Sequence, residues 1–154
     1  MSETQASGSE SKKYKAIVDN YLKQFYEEIN EALPEDEKLE FQPLDDEGYA
    51  DIKKGSATVG INVLEDRGIL MFISHIMSVP ETRQLDLFRK LLEYNFLATS
   101  DASFAINRRN NKIYLRALRG LAGLDYNEFR DMLETTASVA DEFVDKLREE
   151  FGGP

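Results

Sequence analysis

Few side chains in this sequence could do chemistry. His75 is the sole histidine and there is no cysteine, so disulfides, thiolate metal sites and cysteine nucleophiles are excluded. A Ser–His–Asp arrangement could be assembled on paper from Ser103, His75 and Asp101, but the strand–turn–helix motif that exposes a serine nucleophile is missing. We interpret His75 as a strand residue at the edge of the core. The sequence therefore predicts a protein that is not an enzyme and has no metal or cofactor.

Two further patterns could bind a ligand, a run of acidic residues and a pair of glycines. Asp45, Asp46 and Glu47 are adjacent. A calcium loop instead alternates its oxygen ligands and ends in a glutamate, so the run is interpreted as a solvated loop. Gly120 and Gly123 are not followed by Gly-Lys-Ser/Thr, so they do not form a phosphate-binding loop.

One group of residues is basic in a chain that is otherwise strongly acidic. The chain has 29 acidic and 19 basic residues and a formal net charge of −10. This charge repels nucleic acid phosphates and anionic lipids, so neither is an expected partner. The basic group consists of Arg108, Arg109, Lys112, Arg116 and Arg119. It is interpreted either as the solvated residues of a turn and a strand, or as an anchor for an acidic segment of a partner protein.

The length and the hydrophobic content describe one domain. A chain of 154 residues, 42% of them hydrophobic, can form a single core. No apolar run approaches the roughly 18 residues that cross a membrane, and residues 1–11 are polar and lack an apolar signal core. We expect a cytoplasmic protein with a disordered tail at residues 1–11 and one domain at residues 12–151.

The hydrophobic periodicity predicts eight elements. Helices are predicted over residues 12–33, 78–97 and 125–151, and strands over residues 49–54, 57–64, 69–77, 101–107 and 112–119. Short turns join neighbouring strands, which indicates a largely antiparallel sheet. The order helix, three strands, helix, two strands, helix predicts an α+β fold with the helices mainly on one face.

Two of the predicted helices begin at capping patterns. Ser78 is followed three residues later by Glu81, with Pro80 in the first turn, which predicts the start of the second helix. Asp125 is followed by Glu128 in the same way and predicts the start of the third helix.

The second helix has two apolar stripes, whereas a helix that covers one sheet needs only one. The first stripe is Leu85, Phe88, Leu92 and Phe96, and the second is Leu87, Leu91 and Tyr94. We predict that the second stripe, Leu87, Leu91 and Tyr94, contacts another subunit in a homodimer.

The third strand is apolar on both faces, so both faces must be covered at least in part. Together with the last strand it offers apolar pockets, a cationic anchor and a sheet edge to an extended segment of a partner. The predicted partner-binding residues are Leu70, Phe72, Tyr114, Arg116 and Leu118. The alternative is that these residues pack under the helices of their own chain.

Residues 91–147 carry a recognisable pattern. A helix ends with Leu91, Leu92 and Asn95, an alanine-rich strand covers residues 102–106, and the next strand has Arg119 near its end. The last helix begins with Leu124, Asp125 and Phe129 and ends with Ala140, Asp141, Phe143 and Leu147. This pattern resembles the type III secretion chaperone superfamily, which includes the Tir-chaperone and YbjN-like domains.

The resemblance implies a function as well as a fold. Chaperones of this superfamily are acidic cytosolic homodimers that hold a segment of a partner protein along the sheet and helices, and their second helix contributes to the dimer. A chaperone or adaptor is therefore the function that the resemblance favours. The alternative is a regulatory or assembly scaffold, whose dimerisation is its main activity and which binds folded partners. The sequence does not identify the partner protein.

Overall fold

The structure, a computed structural model, describes the backbone of residues 2–152 and the side chains of residues 14–152. The helices are α1 (Ser2–Glu31), α2 (Gln84–Leu97) and α3 (Tyr126–Phe151), with single 3₁₀ turns at Glu35–Glu37 and Glu65–Arg67. The strands are β1 (Tyr49–Lys54), β2 (Ala57–Leu64), β3 (Ile69–Ser78), β4 (Ser103–Asn107) and β5 (Lys112–Gly120).

The five strands form one antiparallel sheet in the order β1-β2-β3-β5-β4. Short turns join β1 to β2, β2 to β3 and β4 to β5, so these pairs are hairpins. The longer connection through α2 carries the chain from β3 to the outer edge of the sheet, and β5 then returns to lie beside β3. The α+β fold and the antiparallel sheet predicted from the sequence are confirmed.

The two faces of the sheet differ because successive side chains of a strand point to opposite sides. On one face Leu70, Phe72 and Ile76 of β3 are fully buried beneath the helices. On the other face, which we call the open face, Met71 and Ile73 of β3 are only half-buried. The open face carries no helix among residues 14–152, so its side chains are the ones available to a partner.

α3 contacts the sheet and α2 through both apolar and polar side chains. Phe129, Leu133, Phe143 and Leu147 bury its apolar stripe against the sheet. Its polar side chains then bind four other parts of the chain: Ser56 beside β1, the Ile76 carbonyl of β3, Lys90 of α2 and Arg119 of β5. The Arg148 Nε donates to the Ile76 oxygen at 2.6 Å. The hydrophobic and the polar contacts of α3 therefore stabilise the same arrangement.

The turn between β1 and β2 is fitted closely to α3. The Ser56 amide donates to Asp141 Oδ1 at 2.9 Å, and the Ser56 hydroxyl donates to Asp145 Oδ2 at 2.7 Å. Gly55, at φ +56°, lies so close that a Cβ there would collide with the Asp141 carboxylate. The turn therefore requires glycine for space as well as for conformation.

We expect Gly55→Ala to lower the free energy of unfolding by about 2–3 kcal/mol, because it adds a steric collision to an unfavourable backbone conformation. Gly68→Ala is the matched control, since Gly68 has a similar φ of +62° but no atom within 4 Å of an added Cβ. The control is expected to lose only about 1 kcal/mol. Urea-induced unfolding followed by circular dichroism measures both. Equal losses would mean that Asp141 moves aside without cost.

The start of α2 differs from the prediction. Ser78 does not cap a helix, because it pairs with Lys112 at the end of β3, and α2 begins at Gln84. Residues 79–83, including Pro80 and Glu81, form the connecting loop. The backbone pairing between β3 and β5 therefore prevails over the local capping pattern.

The start of α3 follows the prediction in its main feature. The Glu128 amide donates to Asp125 Oδ1 at 2.8 Å, which is the helix cap expected from the sequence. The Glu128 carboxylate does not complete the reciprocal box, because it pairs with Arg119 of β5. The cap thus also links the last strand to the last helix.

The ends of α1 bear on the predicted tail. The helix is Ser2–Glu31, whereas the sequence predicted a start at Lys12. The side chains of residues 1–13 are outside the described residues, so the disordered tail predicted at residues 1–11 stays a prediction. Within residues 2–152, none of the three helices combines the length and the apolar character needed to cross a membrane.

Candidate functional site

The open face has an apolar centre formed by β3 and β5. Cross-strand pairing places Met71 opposite Leu118 and Ile73 opposite Arg116. Leu118 is 47% exposed, and Met71 and Ile73 are half-buried. An apolar row of this kind in the middle of a sheet offers contact area to an extended chain laid across it.

Tyr114 is held in place on the same face by the neighbouring turn. Its hydroxyl accepts a hydrogen bond of 2.8 Å from the Asn110 side chain. Its ring lies 5.5 Å from the ring of His75, its cross-strand partner on β3. The two rings form a fixed aromatic pair beside the apolar row.

His75 has an environment that disfavours its charged form. Burial first, and then the positive charges of Lys112 and Arg148, lower its pKa below the usual 6.5. Its Nε2 atom is buried and, within the described part of the chain, has no hydrogen-bond partner. The folded protein therefore holds His75 neutral where the unfolded chain would begin to protonate it.

This shift predicts a pH dependence of stability. Below pH 6.5 the unfolded chain takes up a proton on His75 more readily than the folded chain. The contribution of neutral His75 to the free energy of unfolding is therefore complete above that pH and decreases as the pH falls through the lowered pKa. We expect the urea midpoint to decrease as the pH falls below 6.5. His75→Gln, which does not titrate, should reduce this decrease. Identical pH profiles for the two proteins would contradict the prediction.

A group of cations adjoins the aromatic pair. We call Arg108, Arg109, Lys112 and Arg116 the cationic patch; all four lie in the β4–β5 turn or on β5. Arg116 is exposed and Lys112 is half-buried on the open face. Arg119, the fifth residue of the basic group, lies apart from the patch because it pairs with Glu128 of α3. The structure therefore divides the group into one structural cation and four exposed or half-exposed ones.

The predicted partner-binding residues do not all lie on one surface. Tyr114, Arg116 and Leu118 share the open face. Leu70 and Phe72 lie on the opposite face and are fully buried under the helices, so they cannot contact a partner while the fold is intact. Met71 and Ile73 lie beside Arg116 and Leu118 instead, because the strand register before the bulge at His75 puts the odd-numbered residues of β3 on the open face.

The predicted dimer residues likewise lie inside their own chain. Leu87 and Leu91 are buried, and Tyr94 packs on Phe143 of α3 with ring centroids 4.6 Å apart. This second stripe, Leu87, Leu91 and Tyr94, is the one that α2 uses to dock against α3 and β4. It therefore fills the role that a helix stripe has within one domain.

The other stripe of α2 is left without cover in the described residues. Leu85, Leu92, Phe96 and Leu97 are between 69% and 85% exposed, and Phe88 is half-buried. Large apolar side chains exposed side by side on one helix are a typical feature of interaction surfaces. We call this stripe, Leu85, Phe88, Leu92 and Phe96, the outer face of α2.

A groove lies beside the outer face of α2. It has a volume of about 270 Å³, and its walls include Phe88, Leu92, Phe104 and Ile106. Asn95 holds α2 against the edge strand β4, because its Oδ1 accepts from the Phe104 amide at 2.7 Å. The α2–β4 edge thus presents a ridge of large apolar side chains and a groove side by side.

The Ser–His–Asp arrangement considered from the sequence, Ser103, His75 and Asp101, does not form in the fold. Ser103 pairs with Arg116 across β4 and β5, whereas His75 pairs with Tyr114 across β5 and β3. The two side chains therefore stand on strands separated by a third one and are offset by two residues along it, so they are at least about 10 Å apart by strand spacing. No cluster of three or more histidine or acidic residues with metal-binding geometry occurs in the part of the chain that the structure describes.

A protein-family model matches most of this chain. The model of the Tir chaperone protein (CesT) family matches residues 22–143, which is well over half of the chain. A search of curated protein sequences finds no match.

Several solved structures share the fold. The ExsC–ExsE complex is matched with a TM-score of 0.63 and 22% sequence identity, over 85% of this chain and 93% of the other. The HopA1–SchA chaperone–effector complex has a TM-score of 0.63 and 10% identity, over 85% of this chain and 95% of the other. YbjN from E. coli has a TM-score of 0.56 and 12% identity, over 85% of this chain and 91% of the other.

Proposed function

Because the chain belongs to the Tir chaperone protein (CesT) family, we propose that it is a non-enzymatic chaperone or adaptor that acts as a homodimer in the cytoplasm. It holds a segment of another protein. The observation that carries this proposal is the open face, an uncovered sheet surface with an apolar row at its centre. The likeness in fold to a chaperone–effector complex supports it, and a chain without cysteine suits a reducing compartment.

The binding surface in this proposal consists of Met71, Ile73, Tyr114 and Leu118. Their side chains lie on adjacent strands in register, so an extended segment can contact several of them at once. The surface is preformed, since Tyr114 is anchored by Asn110. Preformed surfaces lose little conformational entropy on binding.

The test starts from partners cross-linked to the purified protein in cell extract. The cross-linked segments are then synthesised as peptides and their Kd is measured by calorimetry, in parallel with the folded partner. A nonglobular peptide that binds the wild type supports the chaperone. Tight binding of the folded partner alone would favour the alternative, a YbjN-like assembly scaffold.

The surface is tested with Met71→Asp combined with Leu118→Asp, which places two charges on the apolar row. We expect the Kd to rise at least about tenfold, because carboxylates are costly to bury in an apolar contact. Asn127→Asp combined with Ser138→Asp adds the same charge at exposed positions of α3 and is the control. Unchanged binding by the first variant would exclude the open face.

The homodimer in this proposal uses the outer face of α2. A two-fold interface needs one patch that is complementary to itself, so that a ridge on each subunit meets a groove on the other. Leu92 and Phe96 supply the exposed ridge, and the α2–β4 groove beside them supplies the receiving surface. Leu87, Leu91 and Tyr94 support this interface from beneath instead of forming it.

A further inference from the structure

Within the described residues, the four cations of the cationic patch form no ion pair, although the protein has a surplus of carboxylates. Eight ion pairs occur among the described residues, and none of them includes a residue of the patch. The whole chain has 29 acidic residues and 19 basic ones, so the chain has enough carboxylates to pair with every cation. The patch therefore presents positive charge that no ion pair with residues 14–152 neutralises.

Charge is segregated between the sheet and the rest of the molecule. The five strands contain one acidic residue, Asp51, whereas they contain five basic ones: Lys53, Lys54, Lys112, Arg116 and Arg119. The remaining acidic residues lie on the helices and in the loops. Lys54 and Arg119 contact α3 on the opposite face, whereas Lys112 and Arg116 lie on the open face. A ligand that approaches the β5 side of the open face therefore meets a locally positive surface, although the whole protein is negative.

The patch is also built rigidly. In the β4–β5 turn the Asn107 side chain accepts from the Arg109 amide at 3.0 Å, and the Asn110 side chain accepts from the Lys112 amide at 3.1 Å. These contacts fix the backbone from which Arg108 and Arg109 project. A fixed backbone reduces the ordering cost of binding.

The spacing of the open-face side chains on β5 indicates the kind of ligand that fits them. Four successive open-face positions, Lys112, Tyr114, Arg116 and Leu118, alternate between cationic and apolar side chains. Neighbours in this row are about 6.8 Å apart, the same as every second residue of an extended peptide. On the adjacent edge strand the open-face residues Ser103 and Ala105 are short, so they leave the row accessible.

We infer that the open face and the cationic patch bind an extended, acidic segment of the partner, in which acidic and apolar residues alternate at every second position. The inference rests on the proposed function, because it assigns a chemistry to the segment that the protein holds. The acidic residues pair with Lys112 and Arg116, and the apolar residues pack on Tyr114 and Leu118. The net charge of −10 disfavours a nucleic acid as the occupant.

The test uses short fluorescein-labelled peptides and fluorescence anisotropy. The first peptide repeats Asp-Ser-Leu-Ser, the second replaces each Asp by Lys, and the third has the composition of the first with its Asp and Leu residues adjacent. We expect the first peptide to bind at least about tenfold more tightly than the other two, and more weakly as salt is raised. Equal binding of the first and second peptides, or tighter binding of an oligothymidylate probe, would overturn the inference.

The site of binding is tested by charge reversal. Lys112→Glu combined with Arg116→Glu is expected to weaken the first peptide at least about tenfold. Arg130→Glu combined with Lys146→Glu makes the same change of net charge on α3 and should change the Kd less than about threefold. Similar losses in both variants would mean that only overall charge matters and would overturn the inference. The cross-linking experiment tests the proposed function separately. A captured segment without the acidic pattern would contradict this inference but not the proposed function.

Discussion

Replacing Phe72 by alanine is expected to lower the free energy of unfolding by about 3–5 kcal/mol. Phe72 is fully buried in β3 beneath α3, with its ring centroid 5.8 Å from that of Phe129. The substitution removes an aromatic ring from a packed core and leaves a cavity that its neighbours fill only in part. Urea-induced unfolding with circular dichroism and tyrosine fluorescence as probes measures the loss. A change of this size is a large fraction of the stability of an ordinary domain.

Met71→Ala is the matched control, because Met71 is the next residue in the strand and points to the open face. We expect it to cost about 1 kcal/mol or less, as half-exposed side chains contribute less to stability. If the two variants lose equal amounts, a second layer covers the open face, and that face is not available to a partner. The comparison therefore also decides whether a Phe72 variant reports on binding or only on folding.

Leu92→Glu combined with Phe96→Glu, on the outer face of α2, is expected to convert the proposed homodimer into a monomer. Both side chains are more than two-thirds exposed in the single chain, at 69% and 85%, so the substitution should leave the domain folded. In an interface the charges would be buried without partners, and we expect the dimer Kd to rise at least about a hundredfold. Light scattering coupled to size exclusion should then report 17.6 kDa in place of twice that mass.

The control for this experiment is Asn127→Glu combined with Ser138→Glu, two exposed positions on α3. It adds the same two charges but should leave the dimer intact, since neither position lies on α2. Circular dichroism of all three proteins verifies that they are folded. A wild-type protein of 17.6 kDa at every concentration tested would contradict the homodimer, and a dimer that survives Leu92→Glu with Phe96→Glu would place its interface elsewhere.

The strands were predictable because local patterns determine them. β1 and β2 have the predicted ends, since alternation of apolar and polar residues stops at Gly55 and again before Gly68. The start of α2 was not predictable, because Ser78 is compatible with a helix cap and with a strand end. Its long-range pairing with Lys112 decides between the two.

The candidate site was only partly predictable for a related reason. Both faces of β3 are apolar, so the sequence does not show whether Phe72 or Met71 lies under the helices. The polar Arg116 and its register with Ile73 resolve the question, but that register is a contact between distant parts of the chain. The two stripes of α2 are ambiguous in the same way. Docking of Tyr94 on Phe143 fixes the rotation of the helix and exposes the other stripe.

The order of the elements along the chain constrains how this protein is made. All five strands lie between Tyr49 and Gly120, whereas α3, which covers their apolar side, is Tyr126–Phe151. A ribosome therefore delivers the complete sheet before it delivers the helix that shields it. During that interval the nascent chain exposes Leu70 and its neighbours, a state that is prone to aggregation. We expect the native state to form only once Leu147 of α3 has left the exit tunnel.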